Sequence, residues 1–166
     1  MGTGAVATDG ESGKGRIKPM DLIYLDYNCF QRRFDDPNQI RIQIEALACQ
    51  EIFNRAEAQT IQLIWSFMHE DETLLCPFPE RQEFASELST LCQIRIAPEE
   101  AIYTLTQELI QQGKFSAKDI LHVACARYAQ ANFFLTCDDA LMRQARKLAL
   151  ACEVMNPVDY IRRETP

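Results

Sequence analysis

The sequence predicts an α/β fold, a three-layer α/β/α arrangement around a central, mainly parallel sheet. Three observations carry that expectation. The 166 residues are 47% hydrophobic and 25% charged, the balance of one globular domain able to bury its own core. Short apolar runs alternate with longer stretches of helical period along most of the chain, and such alternation builds parallel strands with helices on both faces. No apolar run approaches the roughly 20 residues that span a bilayer, so no membrane association is expected.

The first strand is Asp21–Asp26 (DLIYLD), a short apolar run containing Ile and Tyr. Asp36-Pro37-Asn38 marks a turn and helix start, and Gln39–Ala58 repeats apolar residues at helical spacing (Ile40, Ile44, Leu47, Ala48, Ile52). Thr60–Phe67 (TIQLIWSF) reads as the second strand, with Trp65 in the core. Pro77 and Pro79 punctuate the chain before a polar helix from about Glu80 to Cys92. Gln93–Ala97 is a short strand, and Pro98–Gln112 a helix ended by Gly113. Ser116–Gln130 is a helix, Asn132–Thr136 a strand, Asp138–Leu148 a helix and Ala151–Asn156 a last strand before Pro157.

Residues 1–20 stand apart from this body, residues 21–166. They hold five of the six glycines and almost nothing apolar, and are expected to form a flexible, tag-like leader, since so little burial cannot offset ordering entropy. The net charge is −7, and the leader holds Lys14, Arg16 and Lys18 against Asp9 and Glu11, so the body carries −8. A protein gripping nucleic acid by bulk charge would be basic. This one needs a local patch and a bound cation to approach a phosphate.

The seven cysteines are odd in number, widely spaced and without a CxxC pair. That pattern argues against a disulfide framework or a thiolate zinc site and for reduced thiols in a cytoplasm. With only His69 and His122, a histidine-rich metal site cannot form, so any metal is expected to be held by oxygen, as Mg²⁺ or Mn²⁺.

Ligands in open α/β sheets bind beyond the carboxyl ends of the strands. Asp26 closes the first strand and Asp138 follows FFLTC, while Asp119 lies in the first turn of the helix before that strand. Convergence of the three gives a hard cation its oxygen ligands. Each also has a local explanation. Ser116-Ala-Lys-Asp119 fits a capping box, with Phe115 and Ile120 as its hydrophobic staple. Asp138 and Asp139 suit the positive end of a helix dipole. Arg32 and Arg33 either contact flanking phosphates or pair with Asp35 and Asp36. His122, three residues after Asp119, either faces the site or packs elsewhere.

In this order and spacing, Asp26-Tyr27-Asn28, Ala117-Lys118-Asp119 with His122-Val-Ala-Cys-Ala126, and Leu135-Thr136-Cys137-Asp138-Asp139 resemble the PIN-domain nucleases over residues 21–160. The resemblance implies metal-dependent hydrolysis of RNA phosphodiester bonds, with carboxylates holding one or two Mg²⁺ or Mn²⁺ ions that activate water. Asp26 matches the first acid, Asp119 the third and Asp138 the fourth, in a Thr-x-Asp pattern at Thr136; Asp139 is an accessory ligand candidate. The second acid falls within Ser66–Glu72, where Glu72 is favoured over Glu70 and Asp71. Asn28, Arg32 and Thr136 become candidate substrate contacts. Tyr27 departs from the small hydroxyl residue common at that place.

The resemblance further implies a cytoplasmic, commonly dimeric endoribonuclease of the kind that serves as the toxin of a toxin–antitoxin pair. Two other readings stand beside it. One is a PIN-fold binding or scaffold protein that no longer cuts, supported by Tyr27 and the loosely matched second acid. The other is a doubly wound phosphatase or nucleotide-binding protein, which lacks here both an aspartate at position 28 and a glycine-rich loop after the first strand.

Overall fold

The computed structural model describes residues 18–163; the expected leader lies largely outside them. Five short strands form one sheet: β1 (Leu22–Leu25), β2 (Gln62–Ser66), β3 (Ile94–Ile96), β4 (Phe133–Leu135) and β5 (Glu153–Met155). Their order is β3-β2-β1-β4-β5, and every pairing is parallel. The sheet is therefore parallel throughout, as its near-continuous apolar strands require when both faces are covered.

Among the described residues eight helices cover it: α1 (Tyr27–Gln31), α2 (Ile40–Glu57), α3 (Phe67–Leu75), α4 (Pro79–Ser89), α5 (Glu100–Ile110), α6 (Ala117–Tyr128), α7 (Asp139–Arg146) and α8 (Pro157–Arg163). A 3-10 turn, Arg32–Phe34, follows α1. Side chains alternate across a strand, and they sort the core into two halves. Ile23, Leu25, Leu63, Trp65, Phe133 and Leu135 pack with residues of α2, α4 and α8 on one face. Tyr24, Ile64, Phe134 and Val154 pack with residues of α5, α6 and α7 on the other.

The expected strands and longer helices are all present, with ends shifted by one to three residues, mostly inward. Three helices were not anticipated. Helix α1 spans five residues, too few to display a period, and α8 starts at a proline suited to a first helical turn. Helix α3 begins where the β2 run was expected to continue, so the acids of residues 70–72 lie on a helix. Ser66 ends the strand there, because its backbone N–H donates to His69 Nδ1 (2.9 Å). The order in which strands are added reverses at β1: β1 leads outward to β2 and β3, whereas β4 and β5 add on its opposite side. That is a topological switch point, and Asp26 and Asp138 lie at its carboxyl edge.

Candidate functional site

Asp26 follows β1 and is 6% exposed, on the α6 side of the sheet by alternation from Tyr24. An isolated buried carboxylate is costly, so its partners matter. Thr136 Oγ1 donates to Asp26 Oδ2 (2.7 Å) and Asn28 Nδ2 donates to the same oxygen (3.0 Å). Asn28 Oδ1 in turn accepts from the Cys137 backbone N–H (3.2 Å), stitching the turn after β1 to the turn after β4. Burial nevertheless raises the Asp26 pKa. His122 and the Thr136 hydrogen bond oppose the rise, while the nearby charges of Glu72 and Asp119 add to it. Asp26, Glu72 and Asp119 thus share one electrostatic neighbourhood.

Within residues 70–72 only Glu72 turns inward; Glu70 and Asp71 are exposed, and Glu70 accepts from Trp65 Nε1 (2.9 Å). Glu72 Oε2 contacts His122 Nε2 (2.7 Å), and Glu72 Oε1 pairs with the Lys118 ammonium. Burial disfavours the ionised Glu72, but His122 and Lys118 outweigh it and hold its pKa below the ordinary value. Lys118 itself is drawn up by Glu72, Asp26 and Asp119 against the opposing effect of burial. The lysine ammonium therefore supplies positive charge among three carboxylates.

Asp119 sits in the first turn of α6, where its backbone N–H donates to Ser116 Oγ (3.1 Å). The cap is thus made through the backbone of Asp119, and its carboxylate carries no hydrogen bond or ion pair to a described residue. Asp138 is the N-cap of α7, accepting from the N–H groups of Ala140 (2.9 Å) and Leu141 (3.1 Å). Its own N–H donates to Thr136 Oγ1 (3.0 Å), so a single hydroxyl links it to Asp26.

Five candidates make contacts of their own within the fold. Asp139, the accessory candidate, forms a two-pronged ion pair with Arg41, 2.7 Å on each prong. Arg32 pairs with Asp35 (3.1 Å) and with the buried Glu45 (2.8 Å), the ion-pair alternative to a phosphate contact. Thr136 is fully buried and Asn28 half-buried, and both donate to the Asp26 carboxylate. The guanidinium of Arg33 lies over the Phe84 ring at 4.4 Å.

A polar chain that sequence reasoning missed runs inward from Glu72. His122 Nδ1 meets the Tyr24 hydroxyl (2.6 Å), which meets Ser66 Oγ (2.8 Å), which meets His69 Nδ1 (3.1 Å). Since His69 Nδ1 accepts from the Ser66 N–H, the ring donates through Nε2 to the Leu25 carbonyl (2.6 Å). Burial, with His122 nearby, pushes the His69 pKa well below its ordinary value, so the ring is neutral. The signals were Tyr24, two residues before Asp26 on the same strand face, and His122, one helical turn past Asp119.

As a metal site the cluster offers oxygen donors only. Its carboxylate oxygens are not gathered into a group of three within 4.8 Å among the described residues. Mg²⁺ keeps several waters and is commonly held by one or two direct carboxylates, so a trio in mutual contact is not a requirement for it. No protein-family model matches the chain, and no curated protein matches it, so geometry alone carries the functional reading.

Proposed function

We propose that this chain is a PIN-like, Mg²⁺- or Mn²⁺-dependent endoribonuclease that hydrolyses RNA phosphodiester bonds. The observation that carries the reading is a buried aspartate at the switch point of the sheet, held against its own desolvation beside Glu72 and Asp119. Folding expends stability to gather these charges, and a bound divalent cation is the partner that repays the cost. In the proposal Asp26 and Asp119 are direct ligands, and Glu72 and Asp138 bind the ion or its waters. The ion would supply electrophilic activation of the phosphate and acidify water. Thr136 and Asn28 fix the Asp26 carboxylate, and His122 orients Glu72.

A catalytically silent PIN-fold scaffold is the second reading, favoured by one observation: Lys118 already neutralises Glu72. A partner role is compatible with either. Ile40, Ile44 and Leu47 form an exposed apolar stripe along α2, where a second copy or an antitoxin would dock. Within the described residues no helix is long and apolar enough to cross a membrane.

The test is cleavage of mixed structured and single-stranded RNAs with Mg²⁺ or Mn²⁺, using EDTA and a folded Asp119→Asn variant as controls. Asparagine leaves the backbone cap to Ser116 intact and removes the charge. Cleavage lost in both controls is the expected result. Equal cleavage by the variant removes Asp119 from the mechanism, and no cleavage by any preparation favours the scaffold.

A further inference from the structure

On the opposite face of the sheet edge from the carboxylates, three cysteines from distant parts of the chain meet. Cys29 comes from α1, Cys49 from α2 and Cys137 from the turn between β4 and α7. All three are free and buried, and their sulfur atoms lie within 4.8 Å of one another. Spacing along the sequence argued against a thiolate site; the parallel fold overrides it, because the turn after β4 lies beside the turn after β1.

We propose that Cys29, Cys49 and Cys137 form a three-coordinate binding site for a thiophilic d10 cation, Cu(I). The donor set selects the ion. Thiolates favour soft metals over Mg²⁺ or Mn²⁺. Zinc in closed sites takes four ligands, and among the described residues only the three thiols gather here: both histidines belong to the Tyr24 chain across the sheet, and the neighbouring Glu45 carboxylate is already held by Arg32, Arg41 and Asn156. A trigonal site with metal–sulfur bonds of about 2.3 Å needs sulfurs about 4.0 Å apart, a contraction of less than about 1 Å from the observed limit.

A second observation is a cationic neighbour of the trio. The Arg32 guanidinium lies within electrostatic reach of Cys49 and Cys137, and its buried Nε–H has no hydrogen-bond partner. That guanidinium already pairs with Asp35 and Glu45, and its one unpartnered Nε–H would take up part of the thiolate charge of the loaded site. Binding replaces the thiol protons, which leave to solvent as the Cu–S bonds form, with no change in oxidation state. The bound ion would also tie the turn carrying Asn28 to the turn carrying Thr136 and Asp138.

The proposal is independent of the nuclease reading, and its test uses no activity. The full chain, with half-buried Cys76 and Cys152 replaced by serine, is titrated anaerobically with Cu(I) against a coloured Cu(I) chelator. One Cu(I) per chain is expected, with affinity falling at least about 100-fold on adding Cys49→Ala and the thermal midpoint rising by about 5–10 °C at a 100-fold excess over Kd. X-ray absorption of the unaltered chain loaded with one equivalent should show three sulfur neighbours, which keeps the test decisive if Cys49→Ala fails to fold. Two sulfurs, nitrogen or oxygen neighbours, or binding indifferent to Cys49→Ala overturns the site. Retention of one Zn(II) that depends on Cys49 overturns the choice of a three-coordinate ion.

Discussion

Lys118→Met separates a site that awaits a cation from one already satisfied. The Lys118 ammonium touches Glu72 and is also drawn by Asp26 and Asp119. Unit charges about 3 Å apart attract by roughly 5 kcal/mol at an effective dielectric of 20. The lysine side chain is 60% exposed, however, and water screens it strongly. Exposed pairs are worth about 0.2–1 kcal/mol, and the 11% exposure of Glu72 places this one at the upper end, near 1 kcal/mol. An incoming divalent ion must displace that ammonium. Methionine keeps the length of the side chain and removes the competition, so Mn²⁺ affinity should rise about fivefold, the equivalent of about 1 kcal/mol. Calorimetric or paramagnetic titration of the RNA-free protein measures it directly. Unchanged or weaker Mn²⁺ binding would refute the reasoning, because the ammonium would then not stand where the cation goes.

Other perturbations probe the rest of the site and its frame. Asp26→Asn should stabilise the apo protein at pH 7 by about 0.5–2 kcal/mol while abolishing Mn²⁺ binding, the trade expected where function holds a strained charge; the sign follows because a folded pKa raised above 3.8 destabilises the native state once pH exceeds that value. Glu45 is 1% exposed and is held by Arg32, Arg41 (3.1 Å) and Asn156 (2.7 Å), so Glu45→Gln should cost about 2–3 kcal/mol in urea unfolding at pH 7, moderated by partial rehydration of Arg41. The Glu45 pKa is lowered, its arginine and asparagine bonds outweighing burial; wild type should lose this advantage as pH falls below about 4.5 through the lowered value, and a constant difference down to acid pH would contradict it. Leu47→Glu, on a 72% exposed side chain, should leave unfolding within about 0.5 kcal/mol of wild type yet convert any dimer seen by light scattering to monomer.

Much of the fold was readable because its signals are local. Strands of a parallel sheet are apolar on both faces, and DLIYLD and ANFFLTC announce themselves by composition alone. Ser116 and Asp138 act as N-caps where the sequence placed helix starts. Candidate acids at strand ends were equally visible, since topology fixes where a carboxyl edge lies. Pairings between segments far apart in the chain were not. Nothing local to Arg41 and Asp139, 98 residues apart, predicts their ion pair, and nothing at Cys29 predicts Cys49 and Cys137. Lys118 stood in a quoted motif, but only the packing of α3 against α6 shows that it reaches Glu72. The 27–31 and 67–75 helices were lost for different reasons: the first is too short for periodicity, and the second continues an apolar run that breaks only where Ser66 and His69 bond.

The Tyr24–Ser66–His69–His122 chain bears on which reading of the site is stronger. Four polar side chains in a helix–sheet core cost desolvation, and apolar replacements of matching shape are often neutral or stabilising. A network confined to stabilising the core would therefore gain little over Phe, Ala and Leu. This one ends on Glu72, where it fixes both the carboxylate rotamer and the donor that faces it, and it begins on the carbonyl of Leu25, the residue before Asp26. The acids after β1 and on α3 are thus spaced through a chain of hydrogen bonds whose members are all buried. Two internal carboxylates held at fixed separation favour the proposed cation site over a scaffold surface, because ligands for an ion must stay apart until it arrives and stay aligned once it has.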